Sequence, residues 1–454
     1  MKVIIIGAGA AGVAAASRLF QSGVTDFKIL EAENRIGGRI HTMKFGNAMI
    51  DLGAQWCHGH NIVYDLVGKE NLEEAIMDFR KMTYSNGSKE LIDFRVCSFL
   101  FQLLFKIEEN IKSKNGNESV ENYFTRIYYE ELQKLDYKNK ALAKEILDNF
   151  LKRESCYCAS NNMNEISIDN FNKYKDCDGP TWLSYKGVGL KRILDLLTRY
   201  EFSLDNKVLF NKRVINIDYS NDGKITVKCA DGSEFLCDHV ICTVSLGVLK
   251  LNHLKLFTPQ LPANKVKALN ALKFGAIGKV FIEFERQFWS DDWLGLTLLW
   301  NEGNIKKIKG KYDWLDAIYC IYNFKYYPNI LIAFMGGNKV EIVEKLSTEK
   351  IKEGIEFVMK NFLPDEIKST QIVNVKQTTW KTNENFLGTY SYHAIENVCM
   401  KSLQEPLFDK QKKIKVAFAG EAFHEDYFST VHGAVETGYR AADEIAKQIC
   451  KSKL

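Results

Sequence analysis

The sequence predicts an α/β protein of two domains, and three observations carry that prediction. The first 42 residues read as strand, helix and strand around a glycine-rich turn. A second strand–helix unit closes the chain: the apolar run Ile414–Phe418, then Gly420 and Glu421, then a helical pattern over about residues 433–449. The 454 residues also exceed what one hydrophobic core normally supports.

The opening unit is the most informative. Val3–Ile6 is an all-apolar, β-branched run, suited to a strand buried on both faces of a parallel sheet. Gly7, Gly9 and Gly12 follow at GxGxxG spacing. Gly7 permits a tight turn, Gly9 lets the backbone approach a pyrophosphate, and Gly12 lets the helix beginning near Ala10 pack against the strand. The first N–H groups of that helix and its positive dipole end favour a dianionic group. The second strand, Phe27–Leu30, ends at Glu31, whose carboxylate suits a ribose hydroxyl and repels a 2′-phosphate. A glycine triplet alone is weak evidence, because tight turns recur in any sequence. The flanking strand and helix, the spaced acid and a second glycine pair in Arg35-Ile36-Gly37-Gly38-Arg39 make the reading a Rossmann-like dinucleotide site.

Further along, residues 48–60 read as an apolar strand running into a Gly/Trp/His turn, and residues 61–148 as a helical block. A helix is expected from Gly187, then a β-meander over residues 212–219, 225–229 and 235–243. Residues 278–375 mix strands such as VFIEFE and NILIAFMG with a helix over residues 345–362. The lysine-rich stretch 304–312 reads as a solvated loop.

Composition excludes several functions. The 61 basic and 57 acidic residues leave +4, and no Lys/Arg stretch stands free of carboxylates, which argues against nucleic acid. Eleven cysteines, without CxxC pairs or His/Cys clusters of metal spacing, argue for reduced thiols and against a disulfide framework or a metal site. No run of eighteen apolar residues suggests a membrane span. The apolar N-terminus is explained by its glycine spacing rather than as a signal peptide. The terminal Ser452-Lys453-Leu454 spells a peroxisomal address read by an import receptor; if it is unused, the expected location is cytoplasmic.

The RxGGRxxT element resembles the second phosphate-contacting segment of flavoproteins related to glutathione reductase, which implies FAD, with Gly38 and Arg39 on the flavin or its pyrophosphate. Six segments in order resemble the flavin amine oxidase family, and within it polyamine oxidases of the spermine and peroxisomal N1-acetylpolyamine type. They are GAGAAG with LEAENRIGGRIHT, DLGAQWCHG (51–59), TVSLGVLK (243–250, a strand-to-turn), FGAIGKVFIEF (274–284), TTWKTNENFLGTYSY (378–392) and FAGEAFHEDYFSTVHGAVETGYRAA (418–442). The resemblance implies a discontinuous, Rossmann-like FAD-binding domain of the glutathione-reductase type (residues 1–85, 186–278 and 400–454). An α+β substrate-binding domain (86–185 and 279–399) would cover the flavin ring.

By the same resemblance, Lys279 holds a water against the flavin, although a strand lysine ordinarily points to solvent. His58 lies beside the substrate amine, and Tyr390 packs on it as an aromatic wall. Thr430 stands where monoamine oxidases carry a second ring, and Thr389 where they carry the cysteine bonded to FAD, which implies noncovalent FAD. Gly420 and Glu421 meet the ribityl or phosphate region, and the backbone of Thr430 and Val431 meets the flavin edge. Ala11, Gln55, Trp56, Trp380 and the backbone of Val214 complete the cofactor contacts. Glu154 is the candidate for a distal substrate ammonium. The implied activity is FAD-dependent oxidation of the carbon beside a secondary amine of spermine or an N1-acetylated polyamine. Dioxygen is the acceptor, and the products are a shorter polyamine, an aminoaldehyde and hydrogen peroxide. The alternatives are a monoamine-type oxidase and a catalytically silent FAD-binding scaffold.

Overall fold

The computed structural model describes residues 1–75, 78–88, 91–198, 203–364, 367 and 369–451. The Ser452-Lys453-Leu454 tripeptide lies outside the described residues. The protein is a mixed α/β structure with several sheets. Among the described residues no helix is long and apolar enough to cross a membrane.

A six-stranded sheet takes the order Leu407–Phe408, Ile414–Phe418, His239–Cys242, Val3–Ile6, Phe27–Leu30 and Val208–Leu209. Val3–Ile6 runs parallel to both its neighbours, and the edge strand Leu407–Phe408 is antiparallel. Every residue of the two central strands is buried, the pattern that all-apolar strands require. The helices Ala10–Gln21 and Val431–Lys451 cross at very short range. A Cβ on Gly12 would lie 1.9 Å from the Gly7 carbonyl oxygen, and one on Gly438 would lie 2.3 Å from that of Ala11. Glycine is what lets strand, helix and helix approach.

A second six-stranded sheet has the order Ile372–Gln377, Ile277–Phe284, Ile330–Gly336, Ile318–Asn323, Gly295–Leu298 and Met82–Ser85. Met82–Ser85, which the sequence reading grouped with the first domain, pairs in parallel with Gly295–Leu298 and so belongs to this second sheet. The helical block comprises Phe94–Ile111, Val120–Lys134 and Lys140–Cys158, each entered through a side-chain cap from Asp93, Ser119 and Asn139. Leu100, Leu104, Ile107 and Ile111, at helical spacing, share one core with Phe281 and Phe334 of the sheet.

Four local expectations are corrected. The third meander run divides at Asp238, whose Oδ2 accepts from the Lys2 backbone N–H at 2.7 Å. Glu234–Cys237 therefore stays in a four-stranded sheet while His239–Cys242 enters the parallel one. Residues 243–250 do not end in a turn: Ser245 caps a helix, Leu246–Leu256. Residues 304–308 of the lysine-rich stretch belong to the helix Glu302–Ile308, capped by Asn301 and anchored by buried Ile308, and only residues 309–312 lie outside it. The helix expected from Gly187 begins only at Arg192, because Gly187 and Gly189 hold φ of 74° and 73°, outside the helical region.

Candidate active site

One cavity of about 1500 Å³ gathers the sequence-predicted residues. Lys279, His58, Tyr390, Gly7, Gly9, Ala11, Glu31, Gly38, Arg39, Gln55, Trp56, Val214, Trp380, Gly420, Glu421, Thr430, Val431 and Glu154 all line it. Gly12 does not; it packs against Gly7 behind the wall.

The nucleotide end is built by backbone. Gly9 precedes the helix Ala10–Gln21, and among the described residues the N–H groups of Ala11 and Gly12 have no hydrogen-bond acceptor. The space where Gly9 would carry a Cβ has its nearest neighbours at 3.8 Å, Gly37 O, and 3.9 Å, Gly38 Cα. Free donors beside an open, glycine-lined space form a cradle for a dianion, and a pyrophosphate fits it. The second glycine pair docks here through Gly37 N–H to Ala8 O at 2.8 Å. Glu31 is fixed by backbone donors, Ala8 N–H to Oε2 at 2.7 Å and Glu33 N–H to Oε1 at 2.8 Å. Burial pushes its pKa up, and the remaining lone pairs are available to ribose hydroxyls.

Arg39 and Glu421 form a clamp. Arg39 Nη1 donates to Glu421 Oε1 at 2.8 Å and to Thr389 O at 2.6 Å. Glu421 Oε2 accepts from Ser391 Oγ at 2.7 Å and Ser429 N–H at 3.0 Å. Gly420 N–H donates to Thr437 Oγ1 at 2.9 Å. Thr430 is the cap of the last helix, its Oγ1 accepting from Gly433 N–H at 3.0 Å, and among the described residues the N–H groups of Val431 and His432 have no hydrogen-bond acceptor. Trp380 is held by its Nε1–H to Leu52 O at 3.0 Å.

Lys279 is 3% exposed, not a solvated strand lysine. Its Nζ donates to Asp51 O at 2.9 Å, Gly53 O at 2.8 Å and Gln55 Oε1 at 2.9 Å, so all three ammonium protons have acceptors. Burial lowers its pKa to about 8, against the opposing pull of the Asp51 carboxylate. His58 Nδ1 lies 2.9 Å from Thr181 O, so Nδ1 carries the hydrogen and Nε2 is an acceptor; burial lowers its pKa and keeps the ring neutral. The Tyr390 hydroxyl donates to Cys156 O at 2.8 Å, which fixes its ring. Thr389 Oγ1 accepts from Ile277 N–H at 3.1 Å. Cys156, Cys158 and Cys177 also line the cavity.

The sequence reading missed one limb. From His58, ring contacts run to Trp182 at 5.4 Å and from Trp182 to Tyr157 at 5.2 Å. The Arg153 guanidinium lies 5.4 Å from the Tyr157 ring and 4.4 Å from that of Phe105. Glu154, expected to face substrate, is already engaged: Arg153 Nε and Nη2 donate to its Oε1 at 2.9 and 2.6 Å. Glu108, from the preceding part of the helical block, lies 3.4 Å from Arg153 Nη2. No local signal marked Glu108 or Trp182, since their roles arise from tertiary contact.

A sequence model of the family described as flavin containing amine oxidoreductase matches residues 10–446. The chain belongs to this family. It is an FAD-dependent amine oxidase. It is 26% identical to the peroxisomal N(1)-acetyl-spermine/spermidine oxidase of Bos taurus, over 98% of this chain and 94% of that one. It is 29% identical to polyamine oxidase 4 of Oryza sativa, over 100% and 90%. It is 26% identical to a probable polyamine oxidase 5 of Arabidopsis thaliana, over 98% of each.

A pH test follows from Asp51, whose pKa burial raises to about 6. Once pH exceeds the unfolded-state value of about 4, the unfolded chain has released a proton that native Asp51 still holds, so stability falls until about pH 6. Asp51→Asn removes that dependence. Its stability relative to wild type should rise between about pH 4 and about pH 6.5 in urea denaturation; a constant difference would show that Asp51 does not titrate in this window.

Proposed function

We propose that this amine oxidase is a polyamine oxidase acting on spermine or N1-acetylated polyamines. It oxidises the carbon beside a secondary amine and releases a shorter polyamine, an aminoaldehyde and hydrogen peroxide. The observation that carries the reading is the aromatic path from His58 through Trp182 and Tyr157 to a carboxylate-bearing end at Glu108 and Glu154. A long polycation needs rings along its methylene stretches and carboxylates at a distance from the reacting carbon. The names of the relatives support the same reading.

When bound, FAD supplies the hydride acceptor and passes the electrons to dioxygen. The protein holds it in the domain reading made from the sequence: a discontinuous Rossmann-like unit of the glutathione-reductase type, with the first boundary moved to before Met82. The parallel sheet, drawn from strands near both termini and the middle of the chain, supports this. With Thr389 in place of a cysteine, no thiol stands at that position, so the FAD is noncovalent. His58 Nε2 accepts an amine N–H, Tyr390 walls the reacting nitrogen, and the surrounding rings exclude water, which favours the neutral amine. The free N–H groups of Val431 and His432 give that part of the cavity a positive end, suited to negative charge that grows during electron transfer. Lys279 holds a water at the reacting end when its N–H bond to Gln55 Oε1 is exchanged for one to that water. The terminal Ser452-Lys453-Leu454 directs the protein to peroxisomes through the import receptor, a location that would confine the peroxide.

In a peroxide-release assay, spermine or N1-acetylspermine should be oxidised much faster than benzylamine or phenylethylamine; the reverse order would overturn the substrate assignment. Lys279→Met should retain FAD and slow turnover by about tenfold or more, whereas unchanged stopped-flow rates for both half-reactions would remove Lys279 from the chemistry. Deletion of residues 452–454 should leave activity intact and abolish peroxisomal import of an N-terminally fluorescent fusion; persistent import would refute the address.

A further inference from the structure

The cavity does not end at the carboxylates of its far limb. Beyond Arg153 its wall continues through Phe105, Phe79, Phe101, Met82 and Tyr84. The Phe79 ring lies 5.2 Å from that of Phe105 and 6.1 Å from that of Phe101, and Tyr84 lies 5.9 Å from Phe101. The Tyr84 hydroxyl donates to Phe79 O at 3.2 Å, so these walls offer a guest ring faces, ring edges and a thioether. Such a chamber suits a flat apolar group and gives a charged one no partner. The assignments above leave it unused.

Two polar groups border this chamber from one face of the helix Lys140–Cys158. Asn149, 4% exposed, lines the cavity, and its Nδ2 donates to Leu298 O at 3.0 Å and Tyr319 O at 2.8 Å. Leu298 belongs to the strand that pairs with Met82–Ser85, which sets the amide against the chamber wall. Its Oδ1 accepts from none of the described residues and, unlike the sealed amide oxygens of Asn170 and Asn172, is open to the cavity. Arg153, one helical turn on, is packed on the Phe105 and Phe150 rings at 4.4 and 4.6 Å. Its Nε and Nη2 are engaged by Glu154 and Glu108; Nη1 has no acceptor among the described residues and is likewise open to the cavity. The helix thus presents one fixed acceptor and one fixed donor four positions apart, where Cβ atoms stand about 5–6 Å from each other. A trans secondary amide points its N–H and C=O in opposite directions and can meet both. An ammonium could donate to Asn149 Oδ1 but would face the guanidinium. A carboxylate could accept from Arg153 Nη1 but would leave Asn149 unpaired and lie against Glu108 and Glu154.

We propose that Asn149 and Arg153 bind the secondary amide of an N-acylated polyamine and that the ring-lined chamber beside them receives an aromatic acyl group, so that the enzyme prefers aroyl polyamines to acetylated or free ones. The amide N–H donates to Asn149 Oδ1, its carbonyl accepts from Arg153 Nη1, and the aryl ring stacks among Phe79, Phe101 and Phe105. The inference rests on the polyamine reading and adds to it the acyl class and the residues that recognise it.

The test compares spermine, N1-acetylspermine, N1-benzoylspermine and N1-benzylspermine in peroxide-release kinetics on the FAD-loaded enzyme. The benzyl compound keeps the ring and replaces the amide by an ammonium; the acetyl compound keeps the amide and lacks the ring. Wild type should show a KM for N1-benzoylspermine about tenfold or more below those of the other three, with kcat values within about threefold. A benzoyl KM equal to the benzyl one would overturn the amide contact, and one equal to the acetyl one would overturn the chamber; either result leaves the polyamine assignment standing. Arg153→Lys, which keeps the charge but not Nη1, should raise KM for N1-benzoylspermine about fivefold more than for N1-benzylspermine, and Met82→Phe, which narrows the chamber, about fivefold more than for N1-acetylspermine. Uniform changes across the substrates in both variants would overturn the subsite. A wild type that oxidises none of the four compounds, yet turns over a monoamine, would overturn both the subsite and the polyamine reading.

Discussion

The ion pair between Arg39 and Glu421 is the contact on which the site's assembly depends. It joins the glycine-rich segment that follows the second strand, the strand Tyr390–Tyr392 and the turn that leads into the last helix, three stretches remote in sequence. The carboxylate is nearly sealed from solvent and the guanidinium about three-quarters so, at 6% and 24% side-chain exposure. Such a pair is a poor source of net stability, because desolvation offsets much of the attraction; breaking it leaves a buried charge and costs about 3–5 kcal/mol. Its value is register. Glu421 accepts from two serines as well as the arginine, so one carboxylate fixes three segments of the cavity wall against one another.

The parts of the fold written in local pattern were legible beforehand. Val3–Ile6, the glycine spacing and the helix after it follow from burial and sterics within thirty or so residues of chain, and the structure reproduces them closely. Errors arose where a distant partner decided the outcome. The strand run around Asp238 looks continuous until the Lys2 backbone claims the Asp238 carboxylate. Residues 304–308 look like a loop until Asn301, outside the charged stretch, caps the helix Glu302–Ile308.

The same division runs through the site. Backbone cradles are visible as glycines, and Lys279 and His58, singled out through motif resemblance, both line the cavity. The charge balance of the far limb was not readable, because Glu154 looks available until Arg153 is placed beside it. Glu108, which also meets Arg153, comes from another helix. Sequence names the groups that carry chemistry more readily than it says which of them are already satisfied.

The cysteines around the cavity bring a further consequence. The reaction generates a thiol oxidant within a chamber whose wall includes Cys156, Cys158 and Cys177. Thiols react with peroxide as thiolates. Desolvation raises all three, Cys156 to about 12, so near neutral pH they stay protonated and unreactive. The desolvation that keeps these thiols protonated therefore also protects the catalyst from its own product, and a change that admitted water to this wall would expose them to it.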